Sequence, residues 1–239
     1  MLRALLLLSV AFVAPAEAAG PLSPPGAPAD AFPKPDRPVA EIVAPQWTAE
    51  AERDKAGEFD EVARAMRIAP GETVADIGAG SGYYVVRLSP RVGPTGKVLA
   101  EDVTPSYLAG LENRVKDLGN VTVVRGEPHD PRLPPASVDA VVLVHMYHEI
   151  TQPFGLLYNL AAALRPGGRV GILDANAVPS RHGTPPALLR CELSAVGYRE
   201  IGFHTLKDGT YLAVFEAPAP EKRPKPEMIR ACKDTATSR

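Results

Sequence analysis

The stretch Val74-Ala75-Asp76-Ile77-Gly78-Ala79-Gly80-Ser81-Gly82-Tyr83-Tyr84 constrains this chain more than any other. A short apolar run, read as a strand over Thr73–Ile77, empties into three closely spaced glycines. A helix read over Tyr83–Leu88 leaves them. Glycines at a strand-to-helix turn let the backbone approach a ligand that a Cβ would block. Turns of this kind belong to α/β sheets, whose ligands sit at the carboxyl ends of the strands. The following sequence keeps the same rhythm. Strands read at Lys97–Val103, Val121–Arg125, Val138–Val144 and Arg169–Asp174 alternate with helices at Pro105–Leu118, Phe154–Leu164 and Pro186–Val196. Val138–Val144 is nearly all apolar, as a parallel strand buried on both faces should be. Arg199–Thr205 and Thr210–Glu216 read as a closing antiparallel pair. Ahead of the sheet, Trp47–Ile68 has helical spacing and is stopped by Pro70-Gly71. This alternation predicts a doubly wound α/β sheet.

The side chains around the turn narrow the ligand. A dinucleotide fingerprint is Gly-x-Gly-x-x-Gly, but here the third glycine comes one residue early, and Tyr83 stands in its place. Asp76 adds a carboxylate just before the first glycine, where it repels a pyrophosphate and attracts an ammonium group. A nicotinamide-dependent oxidoreductase is disfavoured on both counts. The second strand ends in Ala100-Glu101-Asp102-Val103. An acid at that distance past the turn is placed to accept hydrogen bonds from ribose hydroxyls. Strand alternation selects Asp102 for that role and turns Glu101 to the other face. Glu127, after the third strand, is a weaker candidate for the adenine amino group.

Asp76 to Gly82, Asp102, Gly126-Glu127, the approach Leu133-Pro134 to Ser137-Val138-Asp139, and Leu164-Arg165-Pro166-Gly167-Gly168 fall in one ordered series. That series resembles the motifs of the class I S-adenosylmethionine-dependent methyltransferases, from about Glu72 to Glu216. The resemblance implies a Rossmann-like sheet of seven strands in the order 3-2-1-4-5-7-6, with strand 7 antiparallel. It also implies S-adenosyl-L-methionine as cofactor. Gly78, Gly80 and Gly82 would line its methionine part, together with Asp76 and Tyr83, and Asp102 its ribose. Glu127 departs from the Asp that many members carry beside the adenine. A narrower likeness, carried by Trp47, Arg53-Asp54, Gly80-Ser81-Gly82-Tyr83-Tyr84, His145 to Ile150 and His182 to Pro186, is to a subgroup of exported predicted methyltransferases.

His145-Met146-Tyr147-His148-Glu149 follows the fourth strand, over the expected methyl-transfer position. His148, His145 and Tyr147 are the catalytic candidates, as pocket wall or acceptor contact first and as base second. A metal reading of His-x-x-His-Glu, with Asp174 and His182, ranks last. The pattern is not His-Glu-x-x-His, and the residues leave a strand rather than share a helical face. No metal is expected. The loop His182-Gly183-Thr184-Pro185-Pro186 reads equally as a pocket lid or as a plain turn before a helix. Arg53-Asp54 reads as a surface ion pair, and His129 and His204 as structural or surface residues.

The ends of the chain differ from its middle. Met1-Leu2-Arg3, an apolar run from Ala4 to Ala14 and Pro15-Ala16-Glu17-Ala18 resemble a secretory signal peptide with cleavage after Ala18. The apolar run is shorter than the ~20 residues that span a bilayer. Prolines cluster toward the two ends, so 19–45 reads as a Pro/Ala-rich linker and 218–239 as a flexible, charged tail around a domain at 46–217. Cys191 and Cys232 could pair in an oxidising compartment, but a count of two is a weak sign, and one half-buried residue and one free thiol is the preferred reading. A formal net charge of −2, with no basic stripe, argues against a nucleic-acid partner. The leader is of bacterial type, so the sequence points to an exported, periplasmic methyltransferase that acts on a small molecule. The alternative is an exported, non-catalytic module that uses the same fold to bind an adenosyl compound or another small ligand.

Overall fold

The computed structural model describes residues 19–42 and 50–233. The expected signal segment, Trp47 and the last six residues of the tail lie outside them. The sheet contains β1 (Thr73–Ile77), β2 (Lys97–Asp102), β3 (Val121–Arg125), β4 (Val138–Val144), β5 (Leu164–Asp174), β6 (Arg199–Thr205) and β7 (Tyr211–Glu216). Its order is β3-β2-β1-β4-β5-β7-β6. β1 to β5 are parallel neighbours, and β7 runs antiparallel to both β5 and β6. This is the topology that the family resemblance implied.

Strand alternation builds the two cores. In β4, Ala140 and Val142 pack toward one face, and Val141 and Leu143 toward the other. The first face is covered by α2 (Glu58–Ala65), α3 (Val85–Val92) and α4 (Pro105–Val115), through Val62, Leu88 and Leu111. The second is covered by α5 (Pro153–Ala163) and α6 (Pro186–Ala195), through Phe154, Leu157 and Leu189. Both faces of β1 and β4 are therefore dry, and the strand ends are left as the place for polar chemistry.

Several boundaries move. The N-terminal helix is two, α1 (Glu50–Ala56) and α2, parted at Gly57, whose φ of +74° breaks the helical path. α3 starts at Val85 rather than Tyr83, because the glycine turn takes up both tyrosines. β5 begins at Leu164, ahead of the Pro166-Gly167 turn.

The flanks are not loose. Residues 19–42 form a strap across the domain. Gly26 N–H donates to Asp130 at 2.7 Å, and Ala27 is held on both sides by the Asn159 amide at 2.8 and 3.0 Å. Phe32 enters the core, and Ala40 N–H donates to the His148 carbonyl at 3.0 Å. Arg37 and Glu192 form an ion pair at 2.8 Å with both side chains fully buried. At the other end, Ile229 and Cys232 are buried, and Cys232 forms a disulfide with Cys191 on α6. The expectation of two unpaired cysteines and a flexible tail is thus overturned as far as Lys233. Helix α6 turns Cys191 toward the tail at a Cα–Cα distance of 6.0 Å, within disulfide reach. Closing a loop across a separation of 41 residues stabilises the fold by about 4 kcal/mol on the chain-entropy account.

Candidate functional site

A cavity of about 610 Å³ opens at the carboxyl ends of β1, β2 and β4. One end is the glycine turn. Gly78 has φ +69°, a left-handed conformation that favours glycine, and a Cβ there would also press on the mobile end of the Met146 side chain at 2.7 Å. Asp102 braces the turn from β2. Its Oδ2 accepts from Gly80 N–H at 2.9 Å and its Oδ1 from Thr104 N–H at 2.8 Å. Asp76, next to the last residue of β1, is buried. Burial pushes its pKa up to about 8, with Asp102 adding to the rise and Arg53 opposing it. A cation placed here would reverse that shift.

Glu101 is a site residue to which strand alternation does not point. Its side chain is 2% exposed and lines the same cavity. Oε2 accepts from Gly78 N–H at 3.3 Å, whereas Oε1 has no hydrogen-bond partner. Burial, followed by Asp102, raises its pKa well above the usual carboxylate range. Glycine at 126 makes room for it, since a Cβ there would fall 1.8 Å from Glu101 Oε1. Alternation sets Glu101 on the face of Leu99 and Asp102 on the face of Ala100, but the cavity wraps the strand end, and Glu101 reaches it through the room that Gly126 leaves. Glu127 stands at the cavity rim, about half exposed. It pairs with Arg132 at 3.0 Å and faces His129 at 3.8 Å.

Helices α1 and α2 close one side. The Tyr83 ring is sandwiched between the Arg53 and Arg87 guanidiniums, each 3.7 Å from its centroid, and its hydroxyl donates to Asp54 at 2.9 Å. Tyr83 borders the cavity, but its polar end is engaged in docking α1. Arg53 also donates to Glu58 at 2.6 Å. Glu58 accepts from the Tyr84 hydroxyl at 3.0 Å and faces His145 Nε2 at 3.3 Å. Burial would raise Glu58, but hydrogen bonds from His145 and Arg53 overcome it and hold the carboxyl down at about 2. Arg53 and Glu58 were not recognised as site residues. Their only local sign is an arginine and a glutamate on either side of Gly57.

The other end is built by the turn after β4 and the loop after β5. His145 has φ +54°, and a 3-10 turn over Tyr147–Glu149 follows it. With about three residues per turn, successive side chains diverge. His148 and Glu149 face the cavity, whereas Tyr147 is buried away from it and donates to Glu192 at 2.8 Å. Tyr147 is therefore removed from the catalytic candidates. His148 is 3% exposed, and its Nδ1 lies 3.0 Å from Asp174 Oδ1. Asp174 also accepts from the Thr184 hydroxyl and from Ala175 N–H, both at 2.8 Å. A carboxylate so placed fixes the imidazole tautomer with its proton on Nδ1. His148 Nε2 then faces Glu149 Oε1 at 3.9 Å. His182, from the loop after β5, meets the His148 ring edge-on at 5.4 Å.

Residues 74–168 match the family model described as a methyltransferase domain. An arsenite methyltransferase of Halobacterium salinarum is 36% identical over 112 residues, covering 45% of this chain and 28% of that protein. A ubiquinone/menaquinone biosynthesis C-methyltransferase of Ectopseudomonas mendocina is 30% identical over 110 residues, covering 45% and 43%. The chain thus spans less than half the length of these curated relatives. Among solved structures, a SAM-dependent methyltransferase from Aquifex aeolicus superposes with a TM-score of 0.64 at 22% identity, covering 72% of this chain and 100% of that one. A possible exported protein from Bordetella parapertussis gives 0.56 at 16% identity, covering 70% and 68%. Both structural likenesses speak for the fold.

Proposed function

We propose that this chain, whose residues 74–168 match a methyltransferase domain, is a class I S-adenosylmethionine-dependent methyltransferase that methylates a small-molecule acceptor held at the His148 end of the cavity. The observation that carries this reading is the acidic cradle at the glycine turn. Asp76 at the strand end, with Glu101 and Asp102 beside it, favours a cationic adenosyl ligand over a pyrophosphate.

S-adenosylmethionine, the family's cofactor, would supply an electrophilic methyl group on a sulfonium. Its amino group fits Asp76 and the backbone of Gly78 and Gly80, and its ribose hydroxyls fit Asp102. Glu127 at the rim suits the adenine. The chain's own contribution is mainly positioning: the turn fixes one reactant and the His145–Glu149 segment the other. Within that segment His148, oriented by Asp174, presents Nε2 to an acceptor, and His145 borders the same space from its contact with Glu58.

Export belongs to the same reading. It is supported by the leader-like first residues and by the Cys191–Cys232 disulfide, which suits an oxidising compartment. The similarity to a possible exported protein agrees with it. Among the described residues, no helix is long and apolar enough to cross a membrane.

Calorimetric titration of S-adenosylmethionine and S-adenosylhomocysteine, with Asp102→Ala as control, tests the proposal. Binding of both, lost in the variant, supports it. Folded protein that binds neither moves the chain to the alternative, an exported binding module with another ligand.

A further inference from the structure

We propose that His148, Glu149 and His182 form a binding site for a divalent transition metal, zinc in the first instance, that opens into the acceptor end of the cavity. One ligand atom from each residue can be chosen so that all three lie within 4.8 Å of one another, and all three residues line the cavity. The contiguous pair comes from the turn after β4 and the third member from the loop after β5, so the sheet itself sets the spacing. Modest side-chain rotation brings such a trio onto an ion with bonds of about 2.0–2.2 Å.

Three further features fit a metal better than an ordinary polar cluster. First, Asp174 occupies His148 Nδ1 at 3.0 Å, and Thr184 and Ala175 N–H hold Asp174 in turn. This is the outer-shell arrangement that orients a metal-binding imidazole and leaves its other nitrogen as the ligand. Second, the Glu149 and Asp174 carboxylates together balance a divalent charge, while both imidazoles bind neutral. Third, two imidazoles and one carboxylate suit zinc and its transition-metal neighbours, whereas calcium and magnesium prefer all-oxygen sets. Three protein ligands leave a coordination position open to the cavity.

The open position also indicates an acceptor class, an inference that rests on the methyl-transfer reading above. A thiol or hydroxyl that coordinates the metal releases its proton to solvent, forming the metal–sulfur or metal–oxygen bond as the S–H or O–H bond breaks. On the methyl-transfer reading, a lone pair of that anion would form the bond to the methyl carbon as the methyl–sulfonium bond breaks and S-adenosylhomocysteine leaves. The favoured acceptors are therefore small molecules with an ionisable thiol or hydroxyl.

The test uses the full chain, freed of metal with a chelator. Zinc is titrated calorimetrically, and cobalt(II) is followed by its visible absorption, which reports coordination without requiring activity. One equivalent of zinc is expected. Affinity should fall at least tenfold in Glu149→Gln and in His182→Ala, and roughly ten- to a hundredfold in Asp174→Asn. Each variant should still bind S-adenosylhomocysteine as evidence of folding. If His182→Ala disturbs its loop, Glu149→Gln, which keeps the side chain's shape, decides the question. No zinc binding by protein that binds S-adenosylhomocysteine overturns the metal site alone. So does zinc binding that is unchanged in Glu149→Gln and His182→Ala. Zinc binding without S-adenosylhomocysteine binding keeps the metal and overturns the methyltransferase reading, so the two failures are distinguishable.

Discussion

The two ends of the cavity solve opposite electrostatic problems. At the glycine turn, Asp76, Glu101 and Asp102 are gathered in a buried space, and burial raises the first two well above the ordinary carboxylate range. At the far end, Asp174 is equally buried but carries three hydrogen bonds, from His148, Thr184 and Ala175. The first end keeps Asp76 and Glu101 protonated by burial, whereas the second is assembled around an imidazole. A buried carboxylate thus points to a ligand where burial is not offset by donors, as at Asp76, and to positioning where donors surround it and orient an imidazole, as at Asp174.

The change most able to break this contrast is Asp76→Asn. If the carboxylate serves an ammonium group, its loss should weaken S-adenosylmethionine binding roughly a hundred- to a thousandfold, as expected when a buried charge pair loses one member. Stability should move the other way. The folded-state pKa of about 8 lies above the unfolded value of about 3.9, so the folded protein holds an extra proton between them. Cofactor-free stability therefore falls as pH rises from about 4 to about 8, then levels. Asn removes that slope and should add on the order of 5 kcal/mol at pH 8. Urea titration at two pH values, beside calorimetry, reads both effects. A variant that is less stable and binds equally well would show that Asp76 belongs to the core and not to a ligand.

Asp174→Asn probes the assembled end. It removes the acceptor that holds His148 Nδ1–H and should lower turnover roughly ten- to a hundredfold. S-adenosylhomocysteine affinity should stay within about twofold, because distant sites act independently. Product formation with small thiol and hydroxyl acceptors gives the first number and calorimetry the second. Equal loss of both would mean that the two ends are one coupled unit.

The pH dependence of binding sharpens the contrast with a smaller effect. Below about pH 8 the free protein carries Asp76 protonated, and binding a cation must release that proton. Affinity for S-adenosylmethionine should rise about tenfold per pH unit toward pH 8 and then stop rising. An adenosine thioether without the amino-acid end should show no such limb. A flat profile for both ligands would detach Asp76 from the ammonium group.

What the sequence made legible follows the same division. Asp76, the glycines and Asp102 lie in two short stretches whose chemistry is local, and strand periodicity places them at adjacent strand ends. The sheet order came through the family resemblance and matches the observed pairing. The far end is assembled from pieces apart in the chain. His148 and Asp174 are 26 residues apart, Tyr147 and Glu192 are 45 apart, and Arg37 and Glu192 are 155 apart. Nothing in a strand or helix period reports such pairings. Hence local pattern makes Tyr147 a catalytic candidate when it is a core residue, favours unpaired cysteines when they form a disulfide, and makes the Pro/Ala-rich stretch a linker when it is a strap. Proline-rich composition shows that a segment is not a helix or a central strand, not that it lies free.

The smallest expected effect falls on Glu127, and it tests whether the acidic end extends to the rim. The residue was chosen because a polar side chain after the third strand suits an adenine amino group. In the structure its carboxylate is about half exposed and already pairs with Arg132 at 3.0 Å. An exposed ion pair is worth about 0–1 kcal/mol, and a rim hydrogen bond to a ligand competes with water. Glu127→Ala should therefore weaken cofactor binding by less than about fivefold and leave folding stability within about 0.5 kcal/mol. Glu127→Gln, which keeps an acceptor for the adenine amino group but not the ion pair, should bind as tightly as the parent. A tenfold or greater loss in both variants would make the charge at 127 part of the cradle. Equal binding in both would confine cofactor recognition to Asp76, Asp102 and the glycine turn.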